Sequence, residues 1–470
     1  MNSAQPPVIS TPARRRLSLF LKVASICLLT VLLLIPLGMT HGVLRERQGY
    51  QAQADNEIAE TWGQSQMISG PVLVVPWVRT ATRLRAVAGP DGKTVNQEES
   101  YTLTGSIYSL PDVLVVDGRI EPEIRYRGIY ESIVYAVGFR LSGKFLPEVP
   151  ADSLPKTVYH WDRARLYFGT TDLRRLRENP KVQWAGKDCS VESNIGSDAG
   201  GLGLVALLKE TVPGQAVDFS VEMQLQGSGK LEVVPLGKQT RVTMHSRWQD
   251  PSFTGAHLPT AREIDAEGFT AKWELGPYGR DYPFSWNSRD VSAQTVIAKF
   301  PSSALGVVLA RPVNAYSMVE RAQKYGVLFF VLVFAVFFLF EVTSAGLKIH
   351  PLQYAMVGAA LALFFLLFLA LSEFWATGLA YGAAAAACTG LVSAYAWSFL
   401  KTGARTLVIG GGLAATYGYL YFVLKSQDYA LVAGTAALFA ALALVMFCTR
   451  RINWYSLEMN PATAGAAENR

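Results

Sequence analysis

Hydrophobic and polar positions follow two different rhythms along this chain. Unbroken apolar runs occupy about 17–40, 326–342, 354–372, 375–399, 406–424 and 429–448. At a rise of about 1.5 Å per residue, runs of this length predict helices that cross a hydrocarbon core of about 30 Å. Between the first run and the second the rhythm shortens to two. Phe219-Ser-Val-Glu-Met-Gln-Leu-Gln226 and Phe269-Thr-Ala-Lys-Trp-Glu-Leu275 alternate apolar and polar positions, and Val72-Leu-Val-Val-Pro76 is a short β-branched run. These patterns predict strands. Further strands are expected at 101–108, 113–116, 132–141 and 294–300, with short helices at 171–178 and near 200–208. The Gly227-Ser-Gly229 break predicts a hairpin into Leu231-Glu-Val-Val234. Residues 44–66 have a charged, helix-compatible composition and predict a juxtamembrane helix that stops before Gly70-Pro71.

The expected architecture is therefore an integral membrane α-helical bundle plus a large, mainly antiparallel β extracytoplasmic domain, α+β overall. Its divisions are a cytoplasmic tail over 1–16, an anchor over 17–40, the β domain with its juxtamembrane helix over 41–325, a five-helix bundle over 326–450 and a cytoplasmic tail over 451–470. The first run is too long for the core of a signal peptide, and no small-residue cleavage site follows Pro36-Leu37-Gly38, so an uncleaved anchor is expected. Arg14 to Arg16, Lys348, Lys401 with Arg405, and Arg450 with Arg451 fall on one side of the runs. Glu373 and the Lys425 to Asp428 link, with a single Lys, fall on the other. The positive-inside rule then puts both termini in the cytoplasm of a multi-pass protein of a bacterial inner membrane.

Composition supports this mosaic. The 470 residues are 50% hydrophobic and only 17% charged, too apolar for an ordinary soluble enzyme. The net charge of +6 is scattered through the middle region and gathered at the ends of apolar runs, which argues for topology rather than nucleic-acid binding. The Gly382 to Cys388 and Gly410-Gly-Gly412 stretches suggest closely packed, buried helix contacts. Cys27, Cys388 and Cys448 lie in apolar runs, leaving Cys189 without a disulfide partner in the middle domain.

A search for chemistry yields little. The five histidines have no metal-ligand spacing, and neither a GxSxG elbow, a phosphate-binding loop nor HExxH occurs, so no cofactor and no enzymatic activity are expected. Gly200-Gly-Leu-Gly203 reads as a loop entering a helix. Glu341 and Glu373 lie at span ends and either mark the membrane interface or serve a proton-relay or substrate path. His350-Pro351 is a helix-start device at the cytoplasmic boundary. Arg125 and Arg127 share one side of an extended segment, where they either grip an anionic group or form cross-strand ion pairs on a solvated face. Asp281-Tyr-Pro-Phe-Ser-Trp286 is an aromatic-rich loop, a partner surface or a core cap.

Several stretches carry a family signal in order. They are Gly70-Pro71 to Pro76, Arg127-Gly-Ile-Tyr130, Glu320-Arg321-Ala-Gln-Lys324-Tyr325 leading to Phe340-Glu341, His350-Pro351-Leu-Gln353-Tyr354, Leu371-Ser-Glu373, Asp428 to Leu431, and Thr449-Arg450 with Asn453-Trp-Tyr455. From the anchor to about Tyr455 the chain resembles the CreD family of inner-membrane proteins. Arg451 beside Arg450 and the run at 382–388 are departures from that pattern. The resemblance implies a role in cell-envelope integrity or the envelope stress response, and carries over no catalytic residue. Three functions follow as expectations. The first is a non-enzymatic protein whose outer domain binds or senses an envelope component, with the lipid bilayer and an envelope protein, cell-wall or lipid component as partners. The second is a transporter or lipid-handling protein using the bundle. An envelope hydrolase, the third, lacks an identifiable nucleophile and base.

Overall fold

The computed structural model describes residues 12–88, 94–149, 155–194, 202–209, 211–310, 315–343, 349–400, 402–425 and 430–450. Gly200, Gly201, Lys348, Lys401, Asp428, Arg451 and the C-terminal tail therefore lie outside the described residues. The chain forms two compact units, one of Met1–Tyr50 with Val313–Arg470 and one of Gln51–Pro312.

The helices of the first unit begin with α1 (Pro12–Leu32) and α2 (Leu34–Trp62). The interruption at Leu33 follows from Pro36, which has no N–H to give the Leu32 carbonyl. α2 then runs without a break past Arg45 and Arg47, so the expected juxtamembrane helix is a continuation of the anchor. It ends at Gly63, whose φ of 146° suits glycine and whose absent Cβ would lie 2.7 Å from the Gln226 carbonyl oxygen. Gly63, not Pro71, stops the helix.

Strands follow in the second unit: β1 (Gln66–Ala88), β2 (Thr94–Ser109), β3 (Val113–Arg127), β4 (Tyr130–Phe145), β5 (Thr157–Tyr159), β6 (Arg165–Thr170), β7 (Lys181–Trp184), β8 (Lys187–Cys189) and β9 (Val191–Ser193). After them come β10 (Leu204–Leu207), β11 (Val217–Ser228), β12 (Lys230–Val233), β13 (Gln239–Ser246), β14 (Pro251–Gly255), β15 (Ala261–Asp265), β16 (Gly268–Leu275), β17 (Ser285–Asn287), a short helix α3 (Ala293–Ile297) and β18 (Leu305–Leu309). The strands make a ten-stranded sheet built around β1 and an eight-stranded sheet ordered β15-β16-β13-β3-β4-β11-β7-β8. Pairing is antiparallel except for β1 with β12 and β13 with β3. Alternation drives one face of each sheet inward, and Val72, Leu166 and Val307 of one sheet share a core with Leu114, Val221 and Trp273 of the other.

Four expectations in this unit change. β11 and β12 are not a hairpin: Gly229, at φ 67°, passes the chain from the eight-stranded sheet to the ten-stranded one, where β12 pairs with β1 and β18. The strand expected at 294–300 is instead the end of α3, a turn and the start of a 3-10 helix at Phe300, because Ser292 caps α3, its side chain accepting from Thr295 N at 3.2 Å. The 171–178 helix shrinks to a 3-10 turn over Leu173–Arg175. The apolar run near 204 is strand β10, a four-residue pattern that pairing with β6 and β9 decides.

The first unit resumes with α4 (Ala315–Lys324) and α5 (Gly326–Thr343), bent 49° at Tyr325, then α6 (Pro351–Ser372), α7 (Thr377–Leu400), α8 (Gly403–Lys425) and α9 (Ala430–Thr449). Among the described residues four helices are long and apolar enough to cross a membrane, or five if the bent pair counts as one span. The small-residue runs are only partly buried. Ala384, Ala385 and Cys388 point inward and Gly410 packs on Ser393, whereas Gly411 and Gly412 are exposed, since successive residues of a helix cannot share one face.

Candidate functional site

Glu341 is an acid on an otherwise apolar helix, α5, where an uncompensated charge at depth costs about 2.5 kcal/mol or more. Its side chain is 11% exposed and forms an ion pair with Lys22 of α1. The same carboxylate accepts from Ile349 N at 3.2 Å and from the Tyr354 hydroxyl at 3.2 Å. Next to it, α6 starts with a reciprocal cap: His350 N donates to Gln353 Oε1 at 2.9 Å while His350 Nδ1 accepts from Leu352 N at 3.2 Å. Pro351 sits at the first helical position, so His350, Pro351 and Gln353 act together as the start of a helix.

Glu373 is the C-cap of the same helix, α6. Its side chain is 9% exposed, lies 3.4 Å from Arg47 Nε and accepts from the Tyr316 hydroxyl at 3.5 Å. Each membrane carboxylate thus has its own cation from the N-terminal helices and its own tyrosine. The structure does not bring the two together: Tyr354 and Glu373 are 19 residues apart on one helix, about 28 Å. On the facing elements, His41 Nδ1 lies 3.1 Å from Gln323 Oε1, and Gln323 is buried.

The other candidates in this unit are separate. Arg321 Nε donates to its own helix at Ser317 O, 3.3 Å away, and Lys324 pairs with Glu320 at 3.2 Å. Tyr325 occupies the bend between α4 and α5 and lines an apolar cavity of about 330 Å³ with Phe329, Leu332, Thr416 and Tyr419. Arg450 follows α9 directly, its guanidinium 3.8 Å from the centre of the Phe447 ring.

In the β-rich unit, Arg125, Arg127 and Tyr130 form the tip of the β3–β4 hairpin, with Arg127 opposite Tyr130. The Arg125 guanidinium stacks 4.4 Å above the Trp62 ring and bonds Glu123 at 2.9 Å. Arg127 Nε bonds Glu57 Oε2 at 2.8 Å. Both side chains already have a carboxylate partner, and both reach the last turns of α2. Tyr130 keeps a buried hydroxyl without a partner. The end of α2 is also held by Arg175, which donates to Glu60 O and Thr61 O at 2.7 Å each and is oriented by Asp172 at 3.3 Å. Side-chain hydrogen bonds from Arg174 hold the Asp172 carboxyl below the usual carboxylate range.

Sequence reasoning missed Lys22, Arg47, Tyr316, Tyr354 and Arg175. Lys22 carried a usable signal, a lone lysine inside an apolar run that calls for a partner. Arg175 carried none, because capping a distant helix end is a tertiary event. Among the described residues no group of three or more His, Cys, Asp or Glu could hold a metal ion.

Comparison with known proteins adds the following. The family profile described as inner membrane protein CreD matches residues 18–455. The inner membrane protein CreD of Escherichia coli is 31% identical over 448 residues, covering 94% of this chain and 95% of that protein. Among solved structures, a leukotriene A4 hydrolase from Saccharomyces cerevisiae matches at 13% identity and a TM-score of 0.21, over 36% of this chain and 28% of the hydrolase. An M1 zinc metallopeptidase from Deinococcus radiodurans matches at 10% identity and a TM-score of 0.19, over 43% of this chain and 42% of the peptidase. Likeness this slight carries no argument about fold or activity.

Proposed function

The chain belongs to the CreD family of inner-membrane proteins, and on that premise we propose that it serves the cell envelope without catalysis. Its β-rich unit lies outside the cytoplasm and binds or senses an envelope protein, cell-wall or lipid component, and the helices anchor it and pass on its state. The bonding of Glu341 and Glu373 carries this reading. Each is neutralised by a cation from the N-terminal helices, and Tyr354, which bonds Glu341, stands about 28 Å along α6 from Glu373, so they brace the bundle rather than share a proton or substrate. That leaves the polar surface of the β-rich unit as the part available for recognition. Cationic links on one side of the apolar runs support the placement, with both termini in the cytoplasm.

The test has two arms. In spheroplasts, Ala266→Cys in a Cys189→Ser background reacts with a membrane-impermeant maleimide before lysis, and reaction only after lysis overturns the placement. A photo-crosslinker at exposed Tyr126 captures a discrete envelope protein or cell-wall fragment. Capture of bulk phospholipid alone would sink the binding reading. It would favour a lipid-handling protein, an alternative supported by the apolar cavity between α5, α8 and α9.

A further inference from the structure

β1 and β2 run on past the sheet to which they belong. They pair with each other without a bulge from Leu73 opposite Ser109 to Ala88 opposite Thr94. Their other neighbours stop early: β5 reaches only Arg79 of β1, and β17 only Ile107 of β2, with Ser288 closing the edge one residue further, at Ser106. Beyond that, the nine pairs from Thr80 opposite Thr102 to Ala88 opposite Thr94 form a ribbon of two strands, about 30 Å long. A two-stranded hairpin is only marginally stable in water, so a ribbon of this length calls for a further strand.

Charge decides which edge can accept one. Other strand edges among the described residues are blunted: β14 starts at Pro251, β15 carries Arg262, Glu263 and Asp265, and β5, β8, β9 and β17 have three residues each. The open edge of β1 carries Arg79, Arg83 and Arg85 on one face, and two copies of it would set arginine beside arginine. β2 differs. Ser100-Tyr-Thr-Leu-Thr104 is uncharged, rich in strand-forming residues, and holds neither Pro nor Lys nor a bulge. Ser106 N and O both turn outward to Ser288, at 2.9 Å each. Alternation therefore turns the backbone of Glu98, Ser100, Thr102 and Thr104 outward as well, where no partner meets it among the described residues. Tyr101 and Leu103 are exposed beside this edge, 39% and 37%.

We infer that the β2 edge pairs antiparallel with the β2 edge of a second copy, about a twofold axis at Tyr101, making a four-stranded ribbon. In that register Ser100 of each copy exchanges backbone hydrogen bonds with Thr102 of the other, as Glu98 does with Thr104. Tyr101 stands against its own counterpart, in the kind of pair without backbone bonds where side chains come closest. Glu99 falls opposite Leu103 of the second copy, so no like charges meet, and it keeps Arg83 of its own copy at 2.8 Å. A self-complementary edge closes on two copies instead of growing into a fibre. The pairing goes beyond the envelope reading and does not depend on what the β-rich unit binds.

The test uses the full chain in the membranes of the cells that express it, with Cys189→Ser as the background. Tyr101→Cys forms a disulfide-linked dimer on mild oxidation, because the Cα atoms of such a pair lie about 4.5 Å apart, within reach of a disulfide. Leu84→Cys, exposed on the outer strand of the ribbon, gives no dimer beyond that of the background, which keeps Cys27, Cys388 and Cys448. Adding Thr102→Pro removes an outward N–H that the ladder with β1 does not use, and slows crosslinking of Tyr101→Cys about tenfold. Absence of the Tyr101→Cys dimer, an equal yield from Leu84→Cys, or crosslinking untouched by Thr102→Pro overturns the inference.

Discussion

The N-terminal helices are held at two places by the same kinds of groups in different surroundings. In the helical unit, Lys22 and Arg47 meet carboxylates that are 11% and 9% exposed. In the β-rich unit, the last turns of α2 meet Arg127 and Arg125, which are 67% and 45% exposed, and Arg175, which is 20% exposed. An ion pair in water gains little, because solvent already stabilises both charges. With water excluded, losing one partner leaves the other uncompensated, and that is where the cost lies. So the visible bonds are alike while their weight falls steeply from Glu341 to Arg127.

The largest effect is expected from Glu341→Gln, which strands Lys22 and costs about 2–3 kcal/mol of stability in detergent or bilayer unfolding. Lys22→Met with Glu341→Leu recovers most of it; if the double variant is no better than the single, the pair is not what braces this end. Next comes Arg47→Ala, about 1 kcal/mol, because Glu373 keeps Tyr316 and Arg47 is 41% exposed. Arg175→Ala removes the donors to Glu60 O and Thr61 O and costs a similar amount, read as faster proteolysis near Gly63. The same clamp is sensitive to acid. Asp172 has a depressed pKa when folded, so its contribution is present at neutral pH and is lost as the pH falls from about 4 through that lowered value. Arg174→Ala should flatten this part of the stability–pH curve, because its side-chain hydrogen bonds are the largest cause of the lowered value. The smallest effect is Arg127→Ala, within about 1–2 °C of the wild-type melting temperature and vanishing at high salt. A large loss there would erase the contrast between the two settings.

Several of these residues were legible and others were not. Glu341 and Glu373 stood out because an acid at the end of an apolar run is rare, and His350-Pro351 because a helix start has a local chemistry. Lys22 was equally visible but needed its partner, which lies 319 positions away. Arg125 and Arg127 were placed on one face correctly by the period of two, yet their neighbours come from α2, which no spacing reveals. Tyr282 and Trp286 of the aromatic loop are buried in the core shared by the two sheets, and only the loop's aromatic content announced that.

What the amino-acid order determined by itself is whatever depends on a short window: the apolar lengths that make membrane helices, the alternation of β11 and β16, and the reciprocal cap of α6. The tertiary structure decided everything that pairs distant segments. It sent the chain through Gly229 into the other sheet, made 204–207 a strand rather than a helix, and gave each buried carboxylate its cation. The reason is that a hydrophobic period is a property of neighbours, whereas strand partners and counter-charges are chosen by which distant surfaces exclude water together.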